Sequence, residues 1–341
     1  MVDLSDKPIR YSLKYKVFLQ SSKTKPPIYQ CIVLCFILVC LFAIFRSRDT
    51  LDSDVRSILT LAKTDCLKNR FQEYLLVIHF DEPYYKDITF IRSLYENIFG
   101  KVVICGPEPD AHSGRFVPDI EFESERGKFG YACLGKAIEK FPKYSGYFYS
   151  NYDLLINWWN LLKFDTSKIW MLKPDTDLQK SRTAHRSHQT SCQNYITFLQ
   201  RFSNSPQFKQ LWSKFQQSKS NDGTSVCLIR PSRFFYIPKR FTGHFPLLSY
   251  GAHLNQLEQH TAPINIVQSF VSIDQIEELP EYYRPPQYRF ESSPLFWSEY
   301  DISLTIAHSF RLYRKNDLAW RKNLKQLVEK YFEISRRLTN C

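Results

Sequence analysis

Three short apolar runs, set apart by helical periodicities, constrain what this chain can fold into more than any other feature. They are YLLVIHF at residues 74–80, KVVIC at 101–105 and GYFYS at 146–150. Near-continuous apolar runs of this length suit strands covered on both faces, because neither side meets water. Between the first two, Ile88, Ile91, Leu94, Tyr95 and Ile98 recur at helical spacing, and Gly100 stands where a helix C-cap belongs. Between the second and third, Tyr131, Leu134, Ile138 and Phe141 do the same until Pro142 stops them. Strand–helix–strand–helix–strand implies an α/β fold, a mostly parallel sheet with flanking helices. Ligands of such sheets sit beyond the C-terminal ends of the strands.

Further along, the pattern predicts a helix over 154–162, an apolar segment at 169–172 and a polar, basic, exposed loop over 178–195. Phe208, Leu211, Trp212 and Phe215 mark another helix. Two short strands at 225–230 and 234–237 follow, then a Pro- and Tyr-rich connection from 277 and a final helix over 317–337. With 27 Phe and 21 Tyr the chain has ample bulk for a core and for flat ligand-stacking surfaces, whereas only 10 Gly disfavour glycine-rich nucleotide loops.

Residues 28–45 (IYQCIVLCFILVCLFAIF) carry no charge and are closed by Arg46 and Arg48. As a helix they would span about 27 Å, enough for the hydrocarbon of a thin bilayer. A cleavable signal peptide fits less well, because the basic stretch before it is long and no small-x-small site precedes Arg46. The expected plan is a single N-terminal transmembrane signal anchor at 28–45, with a cytosolic tail (1–27), a stem (46–70) and a large lumenal domain. That domain divides into halves at 71–177 and 196–341, joined by the loop at 178–195. Net charge is +12, but Lys and Arg are scattered and no nucleic-acid module appears, so no nucleic-acid partner is expected. Six cysteines lie outside the apolar segment (Cys66, Cys105, Cys133, Cys192, Cys227, Cys341), and an oxidising lumen could pair them in any of fifteen ways.

Two motifs fail on inspection. Gly130-Tyr-Ala-Cys-Leu-Gly135-Lys136-Ala137 imitates a phosphate loop, but Ala137 replaces the hydroxyl that holds Mg²⁺, and the residues fall on a helix pattern. His185, His188 and Cys192 have ligand-like spacing without a fourth ligand, so Cys192 reads more readily as a disulfide partner than as a zinc ligand.

The end of the third run, Gly146-Tyr-Phe-Tyr-Ser-Asn151-Tyr-Asp153, is the informative place. Asn151 and Asp153 are oxygen donors two apart, on one side of an extended chain, as a divalent ion on a pyrophosphate requires. Asp175 and Asp177 could add a ligand. The competing reading has Asn151 and Asp153 merely capping the helix that follows.

GYFYSNYDLLINWWNL resembles the strand-plus-acid segment of GT-A-type glycosyltransferases, in which a D-x-D-like motif closes a strand. The anchor, stem and basic domain resemble a single-pass type II Golgi glycosyltransferase. The likeness covers roughly residues 70–175. It implies a membrane-bound transferase of the Golgi apparatus (or ER), moving a sugar from a nucleotide-sugar donor to a glycan, lipid or protein acceptor with Mn²⁺ or Mg²⁺. Asp153 would be the principal metal ligand and Asn151 the first motif position, where the family has Asp; a neutral amide holds the ion with less charge. His244 would be a late metal or phosphate contact. Glu258 and Asp274 are the candidate catalytic carboxylates for an inverting transfer. Lys239 and Arg240 would neutralise the leaving diphosphate. Asp81, directly after the first strand, would lie beside the nucleoside, and Trp158 or Trp159 would stack on sugar. The alternative is a non-catalytic lumenal glycan- or partner-binding protein that keeps the fold.

Overall fold

The computed structural model describes residues 35–39, 71–83, 85, 88–109, 116–173, 182–221, 227–230, 232–280, 305–308 and 329–337. Residues 35–39 form a short helical stretch whose Phe36, Ile37, Leu38 and Val39 are exposed. The rest of the anchor, the tail, the stem, Asp175 and Asp177 lie outside the described residues. Among the described residues no helix is long and apolar enough to cross a membrane.

All three apolar runs are strands: β1 (Phe71–His79), β2 (Phe99–Gly106) and β4 (Gly146–Asn151). With β3 (Ile120–Glu121), β6 (Trp170–Leu172), β7 (Phe234–Pro238) and β8 (Glu277–Leu279) they make a seven-stranded sheet in the order β3-β2-β1-β4-β7-β6-β8. β1 runs parallel to both β2 and β4, with His79 opposite Cys105 on one side and Asn151 on the other. β7 is the exception, antiparallel to β4 and β6. An α/β fold with a mostly parallel sheet and flanking helices is what the sequence pattern implies. Strands from both halves of the chain share this sheet, and residues 54–341 form one compact unit.

The strands alternate their side chains between two cores. Leu76, Ile78, Phe148, Phe234 and Tyr236 join α1 (Ile88–Tyr95) on one face. Leu75, Val77, Tyr147, Tyr149, Phe235 and Ile237 meet α2 (Tyr131–Lys140) on the other. The second face also takes α3 (Arg182–Phe202), α4 (Pro206–Asn221), α5 (Phe245–Leu254) and α6 (Ala262–Val267). Disulfides join Cys105 to Cys133 and Cys192 to Cys227, two bridges that the spacing alone left open. Cys66 and Cys341 lie outside the described residues.

Several local expectations are corrected. Gly100 is no helix cap but the second residue of β2, where a Cβ would sit 1.9 Å from the Gln72 carbonyl oxygen. The stretch at 178–195 is helical from Arg182 onward. Cys192, Tyr195 and Leu199, at i, i+3 and i+7, are buried and give that helix its inner stripe. The helix expected over 154–162 does not start at Asp153. The chain forms β5 (Leu154–Ile156), paired with β9 (Ile306–His308), and then a 3₁₀ turn at Trp158–Lys163. The three buried residues of β5 fill one segment of the aromatic core, a burial that a helix would give to only one stripe. Residues 227–230 are not a strand, and residues 277–279, expected as connection, are β8. Of the last predicted helix, residues 329–337 are described and helical (α7). The Tyr331 hydroxyl there donates to the Ile156 carbonyl at 2.6 Å.

Candidate functional site

Parallel pairing brings the ends of β1 and β4 to one edge of the sheet. Asp81 follows β1 through Phe80, and Asn151 closes β4 with Tyr152 and Asp153 in the turn beyond it. The Tyr152 backbone N–H donates to the His79 carbonyl at 2.9 Å, and the Tyr152 ring stacks on Phe80 with centroids 4.9 Å apart. These contacts fix the turn that carries Asp153.

Because β7 is antiparallel to β4, its first residue lies at this same edge: Phe234 faces Ser150 and Pro238 faces Gly146. Arg233, immediately before β7, therefore reaches the site. Its carbonyl accepts the Asn151 backbone N–H at 2.9 Å, and its Nη1 donates to Asp153 Oδ2 at 3.0 Å. Asp153 is buried at 5% exposure, whereas the Arg233 side chain keeps 33% of its surface open. Asp81 is half-buried, and its Oδ1 finds no hydrogen-bond partner among the described residues. Burial raises the Asp81 carboxyl above its usual range, and the negative charge of Asp153 raises it further.

Beneath the edge runs a directed chain of hydrogen bonds. The Gly127 N–H donates to Ser124 Oγ at 3.1 Å, and Ser124 Oγ lies 2.9 Å from His79 Nε2. On the other side of the ring, His79 Nδ1 is 3.1 Å from the Tyr149 hydroxyl, which donates its proton to Asn151 Oδ1 at 2.9 Å. A tyrosine has one proton to give, so His79 Nδ1 must carry the hydrogen and Nε2 must accept from Ser124. Full burial lowers the His79 pKa to about 4, against a smaller opposing pull from Asp153, so the ring is neutral near pH 7. Gly130 makes room for this arrangement. A Cβ there would lie 2.3 Å from the Tyr149 hydroxyl and 2.6 Å from His79 Nδ1.

The other sequence candidates separate along the same geometry. Lys239, Arg240 and His244 follow Pro238 and so lie at the opposite end of β7, beside Gly146 at the start of β4. Six residues of β4 put about 16 Å between the two edges. Lys239 donates its backbone N–H to the Ser145 carbonyl, the Arg240 guanidinium covers the Phe241 ring, and His244 stacks on Phe270. Asp274, exposed in the 3₁₀ turn at Ile273–Gln275, precedes β8 and is at that far end too. Glu258 is half-buried near the site. Its neighbour Gln259 accepts from the Tyr131 N–H at 2.6 Å and donates to the Ser232 carbonyl at 2.5 Å. Trp158 and Trp159 are both core residues, at 0% and 6% exposure, packed against Phe71 and Tyr331. Gly130 and Gly135 sit at the head of α2 and within it, with no strand running in, so there is no phosphate loop. Cys192 is spent on its disulfide.

Arg233 is the residue at this edge that sequence reasoning missed. Its signal was its place directly before a wholly apolar strand, mirror to the Lys239-Arg240 pair directly after it.

A divalent-cation centre built on Asn151, Asp153 and His244 does not fit these residues. The Asn151 amide oxygen is engaged by Tyr149, Asp153 by a guanidinium, and His244 is at the far edge. Among the described residues no three His, Cys, Asp or Glu side chains converge as a metal group.

Over 179 residues the chain is 28% identical to the Probable glycosyltransferase STELLO2 of Arabidopsis thaliana, and 26% identical to the Probable glycosyltransferase STELLO1 of the same plant. Each match takes in 52% of this chain but 22% of the relative, so the chain spans about a fifth of the length of these curated relatives. No protein-family model matches the chain. No solved structure matches it. These similarities support a glycosyltransferase-like assignment.

Proposed function

We propose that this chain is a GT-A-type glycosyltransferase-like protein that binds a nucleotide sugar at the C-terminal edge of β1 and β4 and passes the sugar to a glycan, lipid or protein acceptor. One observation carries the reading. Asp81, Asn151, Asp153 and Arg233 converge where a mostly parallel sheet binds its ligands. The similarity to two proteins named as probable glycosyltransferases adds to it. Asp81 would face the nucleoside, the Arg233–Asp153 pair the diphosphate, and Glu258 would take a proton from an acceptor hydroxyl.

The chain would work in the lumen of the Golgi apparatus or ER, anchored by residues 28–45 as a type II protein. Two disulfides suit an oxidising compartment, and the exposed apolar side chains at 36–39 suit a lipid neighbour. Protease applied to sealed vesicles tests this: the large domain is spared until detergent is added, and cleavage without detergent refutes the topology.

A non-catalytic glycan- or partner-binding protein on the same sheet is the second reading, favoured by the guanidinium that already pairs with Asp153. Incubation of the full chain with UDP-, GDP-, CDP- and ADP-sugars decides between them. Sustained release of one nucleoside diphosphate supports the transferase, and release from none favours the binding protein.

A further inference from the structure

We infer that the diphosphate of the donor is recognised here without a metal ion, by the Arg233 guanidinium together with the amide N–H groups of Asn151. This rests on the nucleotide-sugar reading above and names the chemistry of that same site. Two observations point the same way. Asp153 carries its negative charge into a buried turn and meets a guanidinium at 3.0 Å, so its charge is already balanced. Asn151 gives its amide oxygen to the Tyr149 hydroxyl at 2.9 Å, which leaves Nδ2, a donor, as the atom it offers a ligand. Cations repel an amide NH₂ edge and anions are held by it.

The orientation of that amide is not incidental. With Asn151 Oδ1 accepting from the Tyr149 hydroxyl, Ser124, His79 and Tyr149 form a chain in which each group both donates and accepts, ending on that oxygen. Reversal of the Asn151 amide would require the whole chain to reverse with it, Tyr149 donating to His79 Nδ1 and the other His79 tautomer donating from Nε2 to Ser124. His79 and Tyr149 are thus positioning residues for the amide.

Arg233 has the reach and the geometry for the other half of the task. Its guanidinium presents five N–H donors in a planar fork that matches phosphate oxygens, and a third of the side chain is open to solvent. Asp81, the other acid at this edge, has its carboxyl pushed toward the neutral form by burial and by Asp153, which lessens its repulsion of an anion.

The test is calorimetric titration of the full chain with UDP, GDP, CDP and ADP, in EDTA and again with Mn²⁺. The expected result is that one nucleotide binds in EDTA within about threefold of its affinity with Mn²⁺. Arg233→Ala weakens that binding by about tenfold or more, the share of a charge-assisted hydrogen bond. Asp153→Asn leaves the guanidinium in place and keeps or strengthens binding in EDTA, so it decides the matter should Arg233→Ala fail to fold. Binding that needs Mn²⁺ and disappears in Asp153→Asn overturns the metal-free site while leaving the nucleotide-sugar reading intact. Binding of no nucleotide under either condition overturns that reading, and this inference with it.

Discussion

Acidification should destabilise this protein chiefly through His79, with a smaller contribution of the same sign from the half-buried His253. In the fold it is fully buried between Ser124 and Tyr149, with a pKa lowered to about 4, whereas in the unfolded chain an imidazole titrates at 6.5. Between those values the unfolded chain holds a proton that the native state refuses, so stability is full above pH 6.5 and falls as pH drops toward 4. Each unit of difference is worth about 1.4 kcal/mol, which makes the whole window about 3 kcal/mol and the step from pH 7 to pH 4.5 about 2 kcal/mol. The site is sealed, so solvent does not screen the effect away. Urea denaturation at pH 7 and at pH 4.5, with disulfides intact, measures it for wild type and for His79→Asn. The variant should be less stable at pH 7, having lost shape and partners, but its stability should fall by about 2 kcal/mol less over the same interval. Asp81, whose raised pKa works in the opposite sense, contributes alike to both proteins and cancels. Equal losses in wild type and variant would refute the claim that His79 is held neutral in the fold.

Other expectations follow from the same geometry. Replacing Cys105 and Cys133 together by Ser frees a loop with a sequence separation of 28, and should cost about 3–4 kcal/mol by denaturant titration. Unchanged stability would mean that the bridge does not form. Gly130→Ala drives a Cβ toward two locked side chains, Tyr149 and His79, and should cost about 1–3 kcal/mol, read as a lowered urea midpoint. Paired Lys239→Ala and Arg240→Ala substitutions should change nucleotide affinity by less than about twofold, because both residues lie at the far edge, about 16 Å along β4. A tenfold loss in that titration would place the donor site at the wrong end of the sheet.

The sheet was legible because its central strands announce themselves. YLLVIHF, KVVIC and GYFYS have no exposed face to make polar, so their composition alone separates them from the amphipathic helices between them. From the order of those elements came the edge, and from the edge came Asp81, Asn151 and Asp153. What stayed hidden was direction. β7 is five residues long and buried throughout, so nothing in its composition tells which end meets Ser150 and which meets Gly146. Taken as a parallel strand it carries Lys239 and Arg240 to the site; antiparallel, as it is, it carries Arg233. The same blindness applied after Asp153. Leu154-Leu-Ile suits a helix or a strand locally, and pairing with β9, some 150 residues later, makes it a strand. The role of Asn151 was equally beyond the sequence, since its amide is oriented by Tyr149 and His79, residues whose side chains meet only once β1 and β4 are paired.

Hydrogen–deuterium exchange of the full chain, with and without a saturating nucleotide sugar, tests the central claim most directly. The account predicts slowed exchange at residues 79–83, 123–130, 149–154 and 232–234, the four segments that converge on the Arg233–Asp153 pair. Protection confined to residues 239–244 and 272–276, at the opposite edge, would contradict it.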